Sequence, residues 1–548
     1  RLRNIVEEIA IASGVPVPEV YVLEGEQGIN AFAAGFTSAD AAVTVTQGAL
    51  DKLTRDELQG VIAHEFSHIL NGDMRLNIRL MGVVFGILVI GIVGRKIVEN
   101  AGRGRDRNAG GIVAFGIALT VIGYAGLFFG RLIKAAVSRQ REYLADASAV
   151  QFTRQTLGIA GALKKISALV EGSRLAAVET EEVAHMLFGD GVGFSALFAT
   201  HPPLAERIRR IEPRFDEREL AEIARLWSAP VHADDPEAPE ASLSGFLPAG
   251  GTNRAREPRA SSGLPDRTAP VGLSAAAIAA QVGQPQGGDF RTAATLGKSL
   301  PADLRAAAYD VQRAIPLTLA LALSHRPDLR ERQLARVTQQ YDEASRGATA
   351  ILAAAIDALH PMQRLPLAAL AFPTLRRKPR PELQRFLIVL NQLLREDGRF
   401  EPFEYGLAKL ISLQVMEALD PSATRAFGSR KLPACRKELA TVFALVARHG
   451  HEDSLAAERA YRAGMHEALP QETLPYAPPD EPALALDRAL PVLDQLQPAG
   501  KELVVRGLVQ VIASDGTLNV AEAELLRVVC AALHCPLPPL ASAATRSA

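Results

Sequence analysis

The chain is 548 residues long, enough for three or more domains of about 150 residues. Lys+Arg 60 against Asp+Glu 61 leave a formal net charge of -1, so no global basic field points to nucleic acid and no such partner is expected. Three cysteines, Cys435, Cys530 and Cys535, exclude both a disulfide framework and a cysteine-built metal cluster.

The chain opens on Arg1 with no signal-like start and reads as an N-terminally trimmed part of a longer protein. Thr54 and Glu57 have the spacing of a capping box, which predicts a helix starting there and running through His64, Glu65 and His68. On a helix, His64 and His68 at i, i+4 project from one face, and two imidazoles so placed can reach one tetrahedral Zn²⁺. Glu65 points into the adjoining space, where it can take a proton from an activated water. This H-E-x-x-H pattern arises by chance in about one such chain per hundred, so it needs a third ligand to count.

The hydrophobic share of 48% beside 22% charged residues implies concentrated apolar runs, and two stand out. Leu80–Gly94 has no polar residue, and Ala109–Gly130 has only Thr120 and Tyr124. At about 1.5 Å per residue the second spans about 33 Å and the first about 22 Å. With Ile97, Val98 and snorkelling of Arg95 and Lys96, both are expected to cross a bilayer, as transmembrane helices at about 80–98 and 109–130. The lipid bilayer is therefore an expected partner. The loop between them carries Arg95, Lys96, Arg103, Arg105 and Arg107, against Arg75, Arg79, Arg131, Lys134, Arg139 and Arg141 outside, so charge does not set the orientation.

After the second run, Ser138–Ala147 continues as helix, with Glu142 and Asp146 on one face at i, i+4, so that one can ligate while the other acts a turn away. His68 lies just before the first span and Glu142 just after the second. Two crossings return the chain to its starting side, so the hairpin and a shared metal site support each other. His201, read by itself before Pro202 and Pro203, is a loop or cap residue.

HEFSHILNGD, then SRQREYLADASA, then THPPLAERIRRIE, with GINAFAAGF upstream, resembles the M48 metallopeptidase family, in particular its HtpX-type bacterial membrane proteases, over residues 1 to about 215. The resemblance implies a zincin-like α+β domain holding one Zn²⁺ per chain on His64, His68 and Glu142, with Glu65 as general base. It implies that His201 steadies the oxyanion, that Asp146 orients a ligating histidine, and that Arg207 stands nearby. It also implies that Asn30 lies on an edge strand, within residues 28–36, that pairs with extended polypeptide substrate. A multi-pass location in the bacterial inner membrane follows, with the active site and C-terminal domain on the cytoplasmic side and two further spans before Arg1. The expected reaction is hydrolysis of peptide bonds in unfolded or membrane proteins; the alternative is a silent membrane scaffold whose C-terminal domain binds partners.

Residues 226–292, rich in Pro, Gly, Ser and Ala, are expected to form a disordered linker between the 1–225 protease domain and an all-helical domain at 293–548. The overall fold class expected is mainly α. Phe386–Ile411 and Leu503–Val529 repeat one pattern: an apolar helix, Asp-Gly (Asp397-Gly398 and Asp515-Gly516), then Glu404 or Glu522 opening another helix. Ordinary helix hairpins account for both copies, and the pattern weakly resembles TerB-like helical modules, whose acidic turns bind divalent ions. That domain is a place for protein partners.

Overall fold

The computed structural model describes residues 1–101, 109–169, 201–228, 264, 274–394, 402–421, 428–451, 453–514 and 518–540. The chain divides into two compact units, Glu19–Trp227 and a second made of Arg1–Pro18 with Ser228–Ala548. Residues 1–18, expected in the protease domain, thus fold with the helical unit.

The first element, α1 (Leu2–Ser13), belongs to that second unit. In the Glu19–Trp227 unit, strands β1 (Glu19–Leu23), β2 (Ala31–Ala34) and β3 (Ala42–Thr46) form a sheet in the order β1-β3-β2. β1 runs parallel to β3 with Val20 opposite Val43, and β2 runs antiparallel with Ala33 opposite Val43. Val43 and Val45, alternate residues of the central strand, are fully buried, which fixes the register. β2 is an edge strand.

A short helix, α2 (Gln47–Lys52), leads to α3 (Arg55–Asn71). The capping box is formed: Thr54 Oγ1 accepts the Glu57 amide, and the Thr54 amide donates to the Glu57 carboxylate at 2.8 Å. Leu58, Ile62, Phe66 and Ile69 bury one stripe of α3, each side chain contributing about 1.5–3 kcal/mol. The opposite side carries His64 and His68. Behind α3 packs α6 (Thr156–Ala168), whose Lys165 Nζ donates to Glu57 at 2.7 Å and to the Lys52 carbonyl at 2.9 Å.

Gly72, at φ 68°, ends α3 in the left-handed region that glycine adopts without strain, and its amide reaches back to the His68 and Ile69 carbonyls. The next residue starts α4 (Asp73–Ala101). α5 (Ala109–Thr153) returns beside it and, as one continuous helix, carries both the second apolar run and Glu142. Both are long and apolar enough to cross a membrane, with only 6% and 17% of their most apolar windows buried. Phe85, Phe115, Ile122 and Phe129 are each exposed by 60% or more, so these apolar faces are not covered by the described residues. The two helices meet through glycine: a Cβ on Gly123 would come 2.3 Å from the Gly91 Cα, and one on Gly94 2.5 Å from the Thr120 amide. Residues 102–108, with Arg103, Arg105 and Arg107, lie outside the described residues. Beyond residue 200 come α7 (Leu204–Ile211) and α8 (Arg218–Ser228).

The second unit gathers α1 with α9 (Ala275–Ala279), α10 (Gly287–Ser299), α11 (Ala302–Tyr309), α12 (Ala314–Ala320), α13 (Pro327–Gln340), α14 (Glu343–Asp357) and α15 (Pro361–Arg376). It continues with α16 (Arg380–Leu394), α17 (Pro402–Leu419), α18 (Arg436–Gly450), α19 (Ser454–Ala468), α20 (Pro482–Asp494), α21 (Pro498–Ile512) and α22 (Val520–Ala532). Glu7 of α1, buried, takes Arg305 at 2.7 Å and the Tyr309 hydroxyl at 2.5 Å; the Val17 amide donates to the Ala369 carbonyl, and the Leu537 carbonyl lies against Gly14. The linker ends sooner than expected. Residues 274–292 form α9 and the start of α10, because Ser274 caps one helix and Ile278 and Phe290 supply buried anchors. Most of the rest of the expected linker, 229–263 and 265–273, lies outside the described residues, as do Asp397-Gly398 and Asp515-Gly516. Of the two glutamates in the repeat, Glu522 completes a capping box with Asn519, and Glu404 faces Arg364 at 3.3 Å and His325 at 3.4 Å.

Candidate metal centre

His64, His68 and Glu142 converge so that one ligand atom from each lies within 4.8 Å of the others. The two Nε2 atoms are 3.2 Å apart. Glu142 places Oε2 3.6 Å from His64 Nε2 and Oε1 3.5 Å from His68 Nε2. Donors about 2.1 Å from one ion at the corners of a tetrahedron stand about 3.4 Å apart, so these separations are those of three corners around a common centre.

The far side of each ring decides which nitrogen is free to bind. His64 Nδ1 lies 3.0 Å from Asp146 Oδ1, and His68 Nδ1 lies 2.9 Å from Asp73 Oδ2. A carboxylate can only accept, so His68 Nδ1 carries the proton and its Nε2 turns a lone pair inward, and the Asp146 carboxylate beside His64 Nδ1 favours the same tautomer there. Two lone pairs 3.2 Å apart repel unless a cation or a proton lies between them. The donor set therefore fits a divalent ion of the borderline-soft kind that imidazole and carboxylate hold together.

Around this core the charges are matched. Arg207, wholly buried on α7, donates from Nε and NH2 to Asp146 at 2.8 and 2.7 Å and stands 3.3 Å from Glu142 Oε2. Burial opposes its charge, but Asp146 and Glu142 outweigh that and keep the guanidinium firmly protonated. His201 sits just before α7, nearly buried, with Nδ1 3.1 Å from Glu142 Oε2 and with Nε2 lacking a hydrogen-bond partner among the described residues. Burial pushes the Glu65 carboxyl above its usual range, against the pull of the nearby histidines. Its carboxylate takes the Ala33 backbone N–H, which puts the outer edge of β2 beside the H-E-x-x-H helix.

Asn30 falls one residue short of β2. It is buried, its backbone N–H donating to Thr46 Oγ1 and its Oδ1 accepting the Ala31 N–H, both at 3.0 Å, so Asn30 is tied to its neighbours rather than presented on an edge. Asp73 and Arg141 lie within the two motif stretches, but the sequence reading gave neither a role at the site. Their only signal was Asp73 directly after Gly72, at a helix break five residues past His68.

Residues 1–214 match the model of peptidase family M48. The chain is 41% identical over 216 residues to a protein named Protease HtpX homolog from Thermoanaerobacter pseudethanolicus, covering 38% of this chain and 71% of that one. The chain belongs to peptidase family M48. Its other M48 relatives include Protease HtpX homologs of Dictyoglomus turgidum, 42% identical over 215 residues (38% of this chain, 68% of that one), and Bacteroides fragilis, 37% identical over 225 residues (39% and 68%). No solved structure matches the chain. Among the described residues, the His64, His68 and Glu142 group is the one arrangement of histidine and acid suited to the metal that M48 metallopeptidases use.

Proposed function

We propose that this M48 peptidase is a membrane-embedded zinc endopeptidase that cleaves unfolded or membrane proteins, the work of protein quality control. The observation that carries the reading is the pair of inward-facing Nε2 atoms closed by Glu142. His64, His68 and Glu142 would hold the zinc, which when bound supplies a Lewis acid that polarises the scissile carbonyl and acidifies water. Glu65, whose carboxylate burial makes more basic, takes a proton from the attacking water and passes it to the leaving amine. His201 turns its unpartnered Nε2 to the developing oxyanion, a contact of a kind worth about 3 kcal/mol. Asp146 and Arg207 hold the His64 ring in place.

The substrate would add as a strand along the outer edge of β2, donating its own N–H groups to the outward carbonyls there. Strand addition reads main chain rather than side chains, which favours extended, unfolded polypeptide. The exposed apolar faces of α4 and α5 support a bilayer location, read as a bacterial inner membrane with the centre at its cytoplasmic side.

The test uses the full chain in detergent with casein as substrate. Wild type is expected to hold one zinc per chain and to lose cleavage on chelation. Glu65→Gln should keep the zinc while cleavage falls about 10²–10⁴-fold. Cleavage by that variant at the wild-type rate would remove Glu65 from the mechanism, and chelator-resistant cleavage would remove the metal.

A further inference from the structure

We infer that Asp73, held by Arg141, is the positioning carboxylate of His68, a counterpart to the Asp146–Arg207 pair behind His64; the inference rests on the metal reading above. Asp73 is 3% exposed, with Oδ2 2.9 Å from His68 Nδ1 and Oδ1 3.2 Å from Arg141 NH1. Each candidate imidazole ligand is thus backed by a carboxylate and each carboxylate by an arginine. Without Asp73 the His68 ring could take the other tautomer or swing away, and its inward lone pair would be lost.

The chain geometry is specific to this task. In an unbroken helix, residue 73 would point about 140° away from residue 68 and could not reach it. The left-handed turn at Gly72 breaks the helix one residue earlier and brings the first residue of α4 back over the ring. An acidic residue in a first turn can serve the helix terminus alone, but that needs neither burial nor an imidazole 2.9 Å away. Because Asp73 starts α4 while Arg141 and Glu142 sit on α5, both feet of the apolar hairpin are fastened to the metal centre.

The experiment measures zinc affinity of the full chain in detergent by competition with a chelator, for wild type, Asp73→Asn, Asp73→Ala, Arg141→Met and His68→Ala. The metal-free melting temperature of each is measured in excess chelator. Asp73→Ala is expected to weaken zinc binding about 10–100-fold with the metal-free melting temperature unchanged. Asp73→Asn, isosteric but uncharged, should weaken it in the same direction, and Arg141→Met by less than Asp73→Ala. Wild-type affinity in both Asp73 variants, or a loss of affinity matched by an equal loss of metal-free stability, overturns the inference while leaving the metal reading intact. Zinc held equally by wild type and His68→Ala overturns both.

Discussion

Arg207 lies wholly inside the protein, yet its charge is matched: Asp146 takes two of its N–H groups and Glu142 stands close to a third. Such partnerships leave little trace in a sequence. The spacing of His64, Glu65 and His68 could be read directly because a helix converts i, i+4 into one face. Asp146 and Arg207, 61 residues apart, share no local pattern, and Asp73 reaches His68 only through a break that periodicity does not describe. A second, half-buried cluster, far along the chain, gives a clean prediction. His534, itself in the left-handed region at φ 53°, is gripped by Glu417 on Nε2 and by Asp494 on Nδ1 at 2.8 Å, with Lys501 on the same Asp494. Burial opposes its charge, but the two carboxylates prevail and lift it from 6.5 to about 9. A histidine with a raised folded value stabilises fully below its unfolded pKa, and that stabilisation fades as pH climbs through the folded one. Up to about 3 kcal/mol should therefore be present at pH 6 and gone by pH 10. Asparagine tolerates the left-handed backbone, so His534→Asn should melt well below wild type at pH 6 and nearly with it at pH 10. An equal gap at both values would refute the charge argument.

At the level of elements, the apolar hairpin was plain from composition, since runs this long and free of charge have few other uses. Its internal contact was not, because nothing in a sequence says which glycines face which. Gly91 and Gly123 are backbone against backbone, whereas Gly82 and Gly86 have no atom within 4 Å of an added Cβ. Gly123→Leu should consequently force α4 from α5, cost about 1–3 kcal/mol by melting in detergent, and lower the zinc held per chain. Gly86→Leu should do neither. Equal behaviour of the two variants would show that the helices do not meet as described. The linker boundary slipped for a related reason: average composition over 226–292 conceals a capping serine and two buried side chains that suffice for short helices.

At the scale of the molecule, the M48 match and the compact units do not share a boundary. The match begins at residue 1, while Arg1–Pro18 fold with Ser228–Ala548. The apolar stripe of α1 shows that it must be buried but not by what, and the surfaces that bury it come from residues some 300 or more positions later. Ile5, Val6, Ile9 and Ala10 are all completely covered. A fragment of residues 1–227 should leave them bare and self-associate, whereas residues 19–227 should stay dispersed in the same detergent. Size-exclusion profiles would check this, and a dispersed 1–227 fragment would contradict the placement of α1.

That placement has a consequence for how the chain is made. Gly14 emerges from the ribosome more than 500 residues before Leu537, the carbonyl it rests against. At about 5–20 residues per second, about half a minute to two minutes separate the synthesis of these two contacting residues. During that interval the polypeptide is incompletely folded, and a holdase able to shelter its uncovered apolar surface sets how much finished enzyme accumulates.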